Sequence, residues 1–175
     1  MLDRSFYERS AEEVARDLIG CVLVHRLRSG RILKSVVTET EAYVGEHDLA
    51  SHASKGRTPR TSVMYGPPGR AYVYLIYGMY ELFNVVTSSV GDPQAVLIRA
   101  GIPLSALRKD LNGPGKFSLG MGITRAENSS SLIRRSFHFE RHRKPLRVQK
   151  APRIGVDYAG VWRDKKLRFV GFFDD

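Results

Sequence analysis

Runs rich in β-branched and aromatic residues, cut short by glycine and proline, dominate the chain and leave little room for helix. CVLVHRL (21–27) and RILKSVVTETEAYV (31–44) flank Arg28-Ser29-Gly30, the pattern of a β-hairpin. AYVYLIY (71–77) follows the turn sequence Gly66-Pro67-Pro68-Gly69, and FNVVTSS (83–89) and QAVLIRA (94–100) flank Val90-Gly91-Asp92-Pro93. Further short strands are expected near 153–156 and at 167–173. The clearest helix starts at Ser10, because Ser10 and Glu13 have capping-box spacing, and Val14, Leu18 and Ile19 then share a face. Gly20 supplies its left-handed stop. A helical turn is predicted over 104–110, and Asn112-Gly113-Pro114 leads into a second short helix. The segment 129–152 shows the least pattern. No repeat or linker divides the chain, so residues 1–175 read as a single α+β domain built on an antiparallel sheet.

With 175 residues the chain can bury a substantial core. Its 28 Lys plus Arg outnumber 18 Asp plus Glu and leave a net charge of +10, which points to a polyanionic partner, nucleic acid first. A solubilising surface or contact with anionic lipid accounts for the same charge. Between Arg134 and Lys150 lie seven basic residues, with Glu140 the one acid. Cys21 is the only cysteine, so no disulfide forms within the chain, and a reducing, cytoplasmic setting is expected. No apolar stretch reaches 18 residues, and the first 17 residues lack the apolar core of a signal peptide.

Glu39 and Glu41 fall on the same face of a strand by period-two geometry. Two adjacent carboxylates in a basic protein suit either a salt-bridged edge or a site that uses one of them as a base. Tyr72, Tyr74, Tyr77 and Tyr80 crowd nine positions, with Tyr43 close behind Glu41. Aromatic faces beside basic groups stack nucleobases, whereas buried tyrosines bonded through their hydroxyls are ordinary core, the reading that suits Tyr72. Tyr77 and Tyr80 flank Gly78 at a turn, where a bulky ring can act as a wedge in a base stack. Asn112, Gly113 and Lys116 form a candidate phosphate contact at a helix start, or an ordinary helix N-terminus. His25, His47, His52, His138 and His142 have no zinc-finger spacing, so no metal is expected. His52, in a polar loop, suits either contact with a base or a plain surface position.

ETEAYVGEHDLASH (39–52), RTPRTSVMYGPPGRAYVYLIYGMYELFNVV (57–86), AVLIRA (95–100), LNGPGKF (111–117) and PRIGVDYAGVW (152–162) together resemble the alkyladenine (3-methyladenine) DNA glycosylase family. The likeness covers most of residues 5–170, and its ETEAY and YVYLIYGMY blocks are highly specific. It implies a small fold with a curved antiparallel sheet and short helices, like that of a formyltransferase C-terminal domain. It also implies hydrolytic release of alkylated or deaminated purines from double-stranded DNA, by a monomer without cofactor or metal. The purines implied are 3-methyladenine, 7-methylguanine, hypoxanthine and ethenoadenine. By position, Glu41 matches the general base and Arg99 the arginine near the catalytic water. Tyr77 matches the intercalating residue, and Tyr43, His52 and Tyr74 match the base-pocket walls. Asn84 matches the side chain that obstructs the 2-amino group of guanine, and Ile154 an aliphatic pocket residue.

The chain departs from the family pattern in two places. Residues 129–150 are strongly basic instead of Gly-rich and acidic, and Arg141, Arg143 and Lys144 become candidate phosphate contacts there. Tyr80 stands where a histidine is expected. No lysine lies beside Glu41 in sequence, so lyase chemistry is not expected, and no general acid for neutral bases can be picked out. Two other readings share the charge and tyrosines: a non-enzymatic nucleic-acid-binding module, for RNA among other targets, and a formyltransferase-associated domain that binds folded RNA. Neither gives Glu41 a task.

Overall fold

The long second strand organises the protein. The computed structural model describes residues 1–104 and 110–174; most of the helical turn predicted over 104–110 falls outside them. Strands β1 (Val22–Arg26) and β2 (Ile32–Val44) form the expected hairpin. Strands β3 (Ala71–Ile76), β4 (Tyr80–Thr87) and β5 (Gln94–Pro103) form a meander that joins β2 through β5. Later come β6 (Ile133–Arg134), β7 (Phe137–Glu140), β8 (Arg147–Ala151) and β9 (Arg168–Phe172). The order across the curled antiparallel sheet is β3-β4-β5-β2-β1-β7-β6, and the β8–β9 pair attaches to β2 through β9. One edge of β2 carries β5; the other carries β1 over Ile32–Val36 and β9 over Glu39–Glu41.

Where β2 changes partner, its register with β5 shifts between Val37 and Thr40. Such irregularities bend a strand and re-aim its side chains. Beyond the shift the two faces separate cleanly. The Thr40 hydroxyl donates to the Ala15 carbonyl at 2.8 Å, on the face covered by helix α2 (Ala11–Leu18). Glu41 and Tyr43 point to the opposite face.

Helix α2 forms as its sequence indicates. Ser10 accepts from the Glu13 amide, and the Glu13 carboxylate accepts from the Ser10 amide in return. Ala11, Val14, Ala15 and Leu18 are fully buried, and a buried Val or Leu contributes about 1.5–3 kcal/mol. The helix ends at Leu18, Ile19 is its extended C-cap, and Gly20 follows at φ +86°, where a Cβ would collide with the Arg143 carbonyl. Two shorter helices, α1 (Arg4–Tyr7) and α3 (Pro114–Gly120), complete the α+β arrangement.

Two sequence expectations are corrected. The segment 129–152 contains three strands, and Phe137 and Phe139 of β7 are buried against Phe83 at ring distances of 5.5 and 6.3 Å. Their alternation is hidden among the surrounding arginines. The strand expected near 153–156 is absent, because β8 ends at Ala151. Pro152 has no N–H for a ladder, and Gly155 turns the chain at φ +74°. No helix among the described residues is long and apolar enough to cross a membrane.

Candidate active site

Glu41 and Tyr43 open onto a cavity of about 500 Å³, within the range of about 300–1,000 Å³ typical of small-molecule sites. Met64, Leu82 and Leu97 give it an apolar floor, and Tyr43, His52, Tyr72 and Tyr74 give it aromatic walls. Tyr77 and Tyr80 from the β3–β4 hairpin and Ile154 from the chain after β8 border it as well.

The Glu41 side chain is fully buried in the wall. Its Oε2 accepts from the Tyr43 hydroxyl at 2.8 Å, and its Oε1 accepts from the Ile154 amide at 2.8 Å. Arg99 Nη1 lies 3.4 Å from the same Oε1. Burial pushes the Glu41 pKa above its ordinary 4.5, while Arg99, the Ile154 amide, Tyr43 and Arg153 oppose that shift. Burial also raises the Tyr43 pKa, so its phenol stays protonated and is the donor. Glu39 has the other fate offered by the sequence. Its Oε1 accepts from Arg99 Nε at 3.1 Å and Arg168 Nη1 at 3.0 Å, and it does not line the cavity.

A raised carboxyl pKa has a definite consequence for stability. The folded state holds the Glu41 proton more tightly than the unfolded chain, so stability falls as pH rises from 4.5 through the raised value. Glu41→Gln does not titrate. Thermal unfolding should therefore show the Gln protein gaining on the wild type across that window and keeping its advantage at neutral pH. A gap that closes as pH rises would contradict the shift.

His52 meets Tyr74 edge-on at a ring distance of 4.5 Å, and its Nδ1 shares a hydrogen bond with the Tyr72 hydroxyl at 3.1 Å. Burial, with Arg60 and Lys55 adding, lowers the His52 pKa to about 4, so it is neutral at pH 7. Asn84 is buried at the cavity, and its Nδ2 donates to the Tyr72 carbonyl at 3.2 Å. Tyr77 is 84% exposed at the hairpin tip, with φ +52° beside Gly78 at +67°. A left-handed non-glycine residue costs about 1–3 kcal/mol, and such strain gathers at functional sites.

These side chains come from β2, β3, β4 and β5, from the β3–β4 turn, and from the connections that follow β2 and β8. The match of their surroundings to known proteins is correspondingly broad. Residues 5–171 fit the family model described as methylpurine-DNA glycosylase. The chain belongs to that family. It is 49% identical over 172 residues to a protein of Myxococcus xanthus, covering 95% of this chain and 88% of the relative. A protein of Methanocella arvoryzae is 47% identical over 188 residues (99% and 92% covered), and one of Legionella pneumophila strain Corby 46% over 174 (96% and 92%). All three relatives carry the name "Putative 3-methyladenine DNA glycosylase".

The candidate phosphate contacts divide into two sets. Asn112, Gly113 and Lys116 border the cavity at the start of α3, although Lys116 Nζ is already paired with Asp110 at 2.7 Å. Arg141, Arg143 and Lys144 do not line it. The Arg143 amide donates to the Gly20 carbonyl at the end of α2, and its guanidinium lies 4.9 Å from the Phe173 ring centre.

Sequence reasoning missed the support behind the pocket. Arg153 and Asp48 form a fully buried pair with contacts of 2.6 and 2.8 Å, and Arg153 also donates to the Ala42 carbonyl at 2.9 Å. Asp48 accepts from the Val44 and Ala50 amides, and the Arg153 guanidinium lies 4.7 Å from the Tyr43 ring centre. The pair ties the loop after β2 to the chain that delivers the Ile154 amide. No local signal marks residues 105 positions apart.

Proposed function

We propose that this chain is a monofunctional DNA glycosylase that takes an alkylated or deaminated purine, rotated out of duplex DNA, into the aromatic cavity and hydrolyses its N-glycosidic bond. The observation that carries this reading is a fully buried carboxylate, Glu41, in the wall of a tyrosine-lined cavity. The activity in the relatives' names and the family's description support it.

The bond cannot be reached inside a duplex, and rotating the nucleotide out costs a few kcal/mol. Tyr77, exposed on a strained tip, fills the vacated stack. In the cavity Tyr43, Tyr74 and His52 flank the base. Purines methylated at N3 or N7 are cationic, and tyrosine faces favour a desolvated cation. Such a base is already a good leaving group. Water attacks C1′ and gives its proton to Glu41, while the C1′–N bond breaks and its electron pair goes to the purine. Arg99 stands beside this carboxylate, near the water and the nucleotide's phosphate. The polar amide of Asn84 filters guanine by obstructing its 2-amino group.

Among the described residues the one cavity-lining lysine is Lys116, paired with Asp110. Among the described residues no other lysine lines the cavity, which supports hydrolysis as the end of the reaction, without a Schiff base. The substrates are 3-methyladenine, 7-methylguanine, hypoxanthine and ethenoadenine in double-stranded DNA, handled by a monomer in the cytoplasm at the nucleoid. Asn112, Gly113 and Lys116 are the proposed phosphate contacts near the lesion, with Arg141, Arg143 and Lys144 more distant ones.

Single-turnover incubation with duplexes containing 7-methylguanine or hypoxanthine, followed by alkaline cleavage at abasic sites, tests the reading. Strand breaks only at the lesion are expected; their absence with both substrates would sink it. Tyr77→Ala should weaken binding to lesion DNA by about 1–3 kcal/mol, the worth of one aromatic stack. The fluorescence rise of 2-aminopurine placed beside the lesion should shrink in parallel, and a full-amplitude rise would show that Tyr77 is not the wedge.

A further inference from the structure

Two groups meet Oε1 of Glu41, the Ile154 amide at 2.8 Å and Arg99 at 3.4 Å. Each has its own support, and both supports lead to Arg168. This residue stands directly opposite Glu41 in the β2–β9 pairing, yet its guanidinium is spent elsewhere. Nη1 donates to Glu39 Oε1 at 3.0 Å, and that same oxygen accepts from Arg99 Nε at 3.1 Å. Nε donates to the Pro152 carbonyl at 2.8 Å, two residues before Ile154. We propose that Arg168 is a positioning residue for Glu41, setting the place of Arg99 through Glu39 and the place of the Ile154 amide through Pro152. This inference rests on Glu41 being the base. Arg168 does not line the cavity, and its side chain is 23% exposed, so it acts through these groups and not on the substrate.

The chemistry requires an arginine. A guanidinium offers donors in a fixed planar fork, so one side chain can hold a carboxylate and a carbonyl in set directions, whereas an ammonium is a point charge. The charges also alternate along the row Arg168, Glu39, Arg99, Glu41, and sum to zero. Without Arg168 the row carries an extra negative charge beside Glu41, and its tie to the Ile154 side is cut. Both changes disfavour the ionised carboxylate that must accept the proton from water. Among the described residues, the other titratable or charged groups that act on Glu41 are Tyr43, Tyr74, Tyr158 and Arg153, and all four are kept in the variants below.

The test is the pH dependence of single-turnover base release by Arg168→Gln, Arg168→Lys and Glu39→Gln, with DNA affinity measured alongside. Arg168→Gln should release base on the order of 10–100-fold more slowly at neutral pH, the scale of a small misplacement at the reacting centre. Its acid limb should move to higher pH, with affinity for lesion duplex nearly unchanged. Arg168→Lys should return the limb towards the wild type while the rate stays lower, because the Pro152 contact is lost. Glu39→Gln keeps an acceptor for Arg99 and removes a negative charge, so its limb should move to lower pH, and adding it to Arg168→Gln should cancel that variant's upward shift. An Arg168→Gln limb at the wild-type position, or a loss of rate matched by an equal loss of affinity, would overturn the proposal. Wild-type protein that releases no purine would instead overturn the glycosylase reading.

Discussion

Glu41→Gln should lower the single-turnover rate of base release by about 10²–10⁴-fold, the usual contribution of a general base, and leave affinity for lesion duplex near the wild-type value. Glutamine keeps the volume of the side chain and can still accept from the Ile154 amide, which now meets Oε1 at 2.8 Å. It cannot take a proton from water. The cavity walls and the Tyr77 tip are untouched, so recognition should survive. Equal rates for mutant and wild type would remove Glu41 from the mechanism. An active Glu41→Gln beside an inactive Glu39→Gln would transfer the role to the neighbour, which now bonds Arg99 and Arg168 outside the cavity.

Asp48→Ala should have the largest effect on stability. It leaves the fully buried Arg153 guanidinium with no carboxylate, and breaking a buried ion pair from one side costs about 3–5 kcal/mol. For a chain of this size each kcal/mol lowers Tm by roughly 2–4 °C, so a fall on the order of 10 °C is expected. Asp48→Ala combined with Arg153→Met should recover much of the loss, because an apolar pair leaves no stranded charge. Base release should still fall in the double variant, since Arg153 also backs Tyr43 and lies next to the residue whose amide meets Glu41. Unfolding that shifts by less than about 1 kcal/mol in Asp48→Ala would contradict the role given to the pair.

What the sequence reveals and what it hides follow from the range of the forces involved. The β1–β2 hairpin, β3, the β4–β5 hairpin and the Ser10–Glu13 cap of α2 are all legible, because turn residues and side-chain periodicity act over a few positions. Strand β7 is hidden because Phe137 and Phe139 alternate over four residues inside a basic run, where charge outweighs so short a pattern. The break at Pro152 is readable in hindsight from the missing N–H. The site residues fare differently. Spacing alone left Glu39 and Glu41 equal, and the family resemblance separated them. The sheet then accounts for why residues as distant as Glu41 and Ile154, 113 positions apart, border one cavity. The Asp48–Arg153 pair and the Arg168–Glu39–Arg99 row have no counterpart in local sequence. Each is a contact between charges set far apart in the chain, and only the curl of the sheet around β2 brings them together. The basic run beyond Arg134 shows the converse: its charge is plain in the sequence, and its position beside the end of α2 is not.

If the buried Glu41 carboxylate drives hydrolysis of a purine held in the aromatic cavity, free base and an abasic strand are the two products. Mass spectrometry of both products tests it most directly, with protein in excess over a duplex carrying one 7-methylguanine and with sodium borohydride added to a parallel sample. The expected result is free 7-methylguanine in proportion to the DNA, an abasic strand that stays intact until alkali is added, and no protein–DNA adduct. Purine retained in the DNA at saturating protein, or an adduct trapped by borohydride, would contradict it.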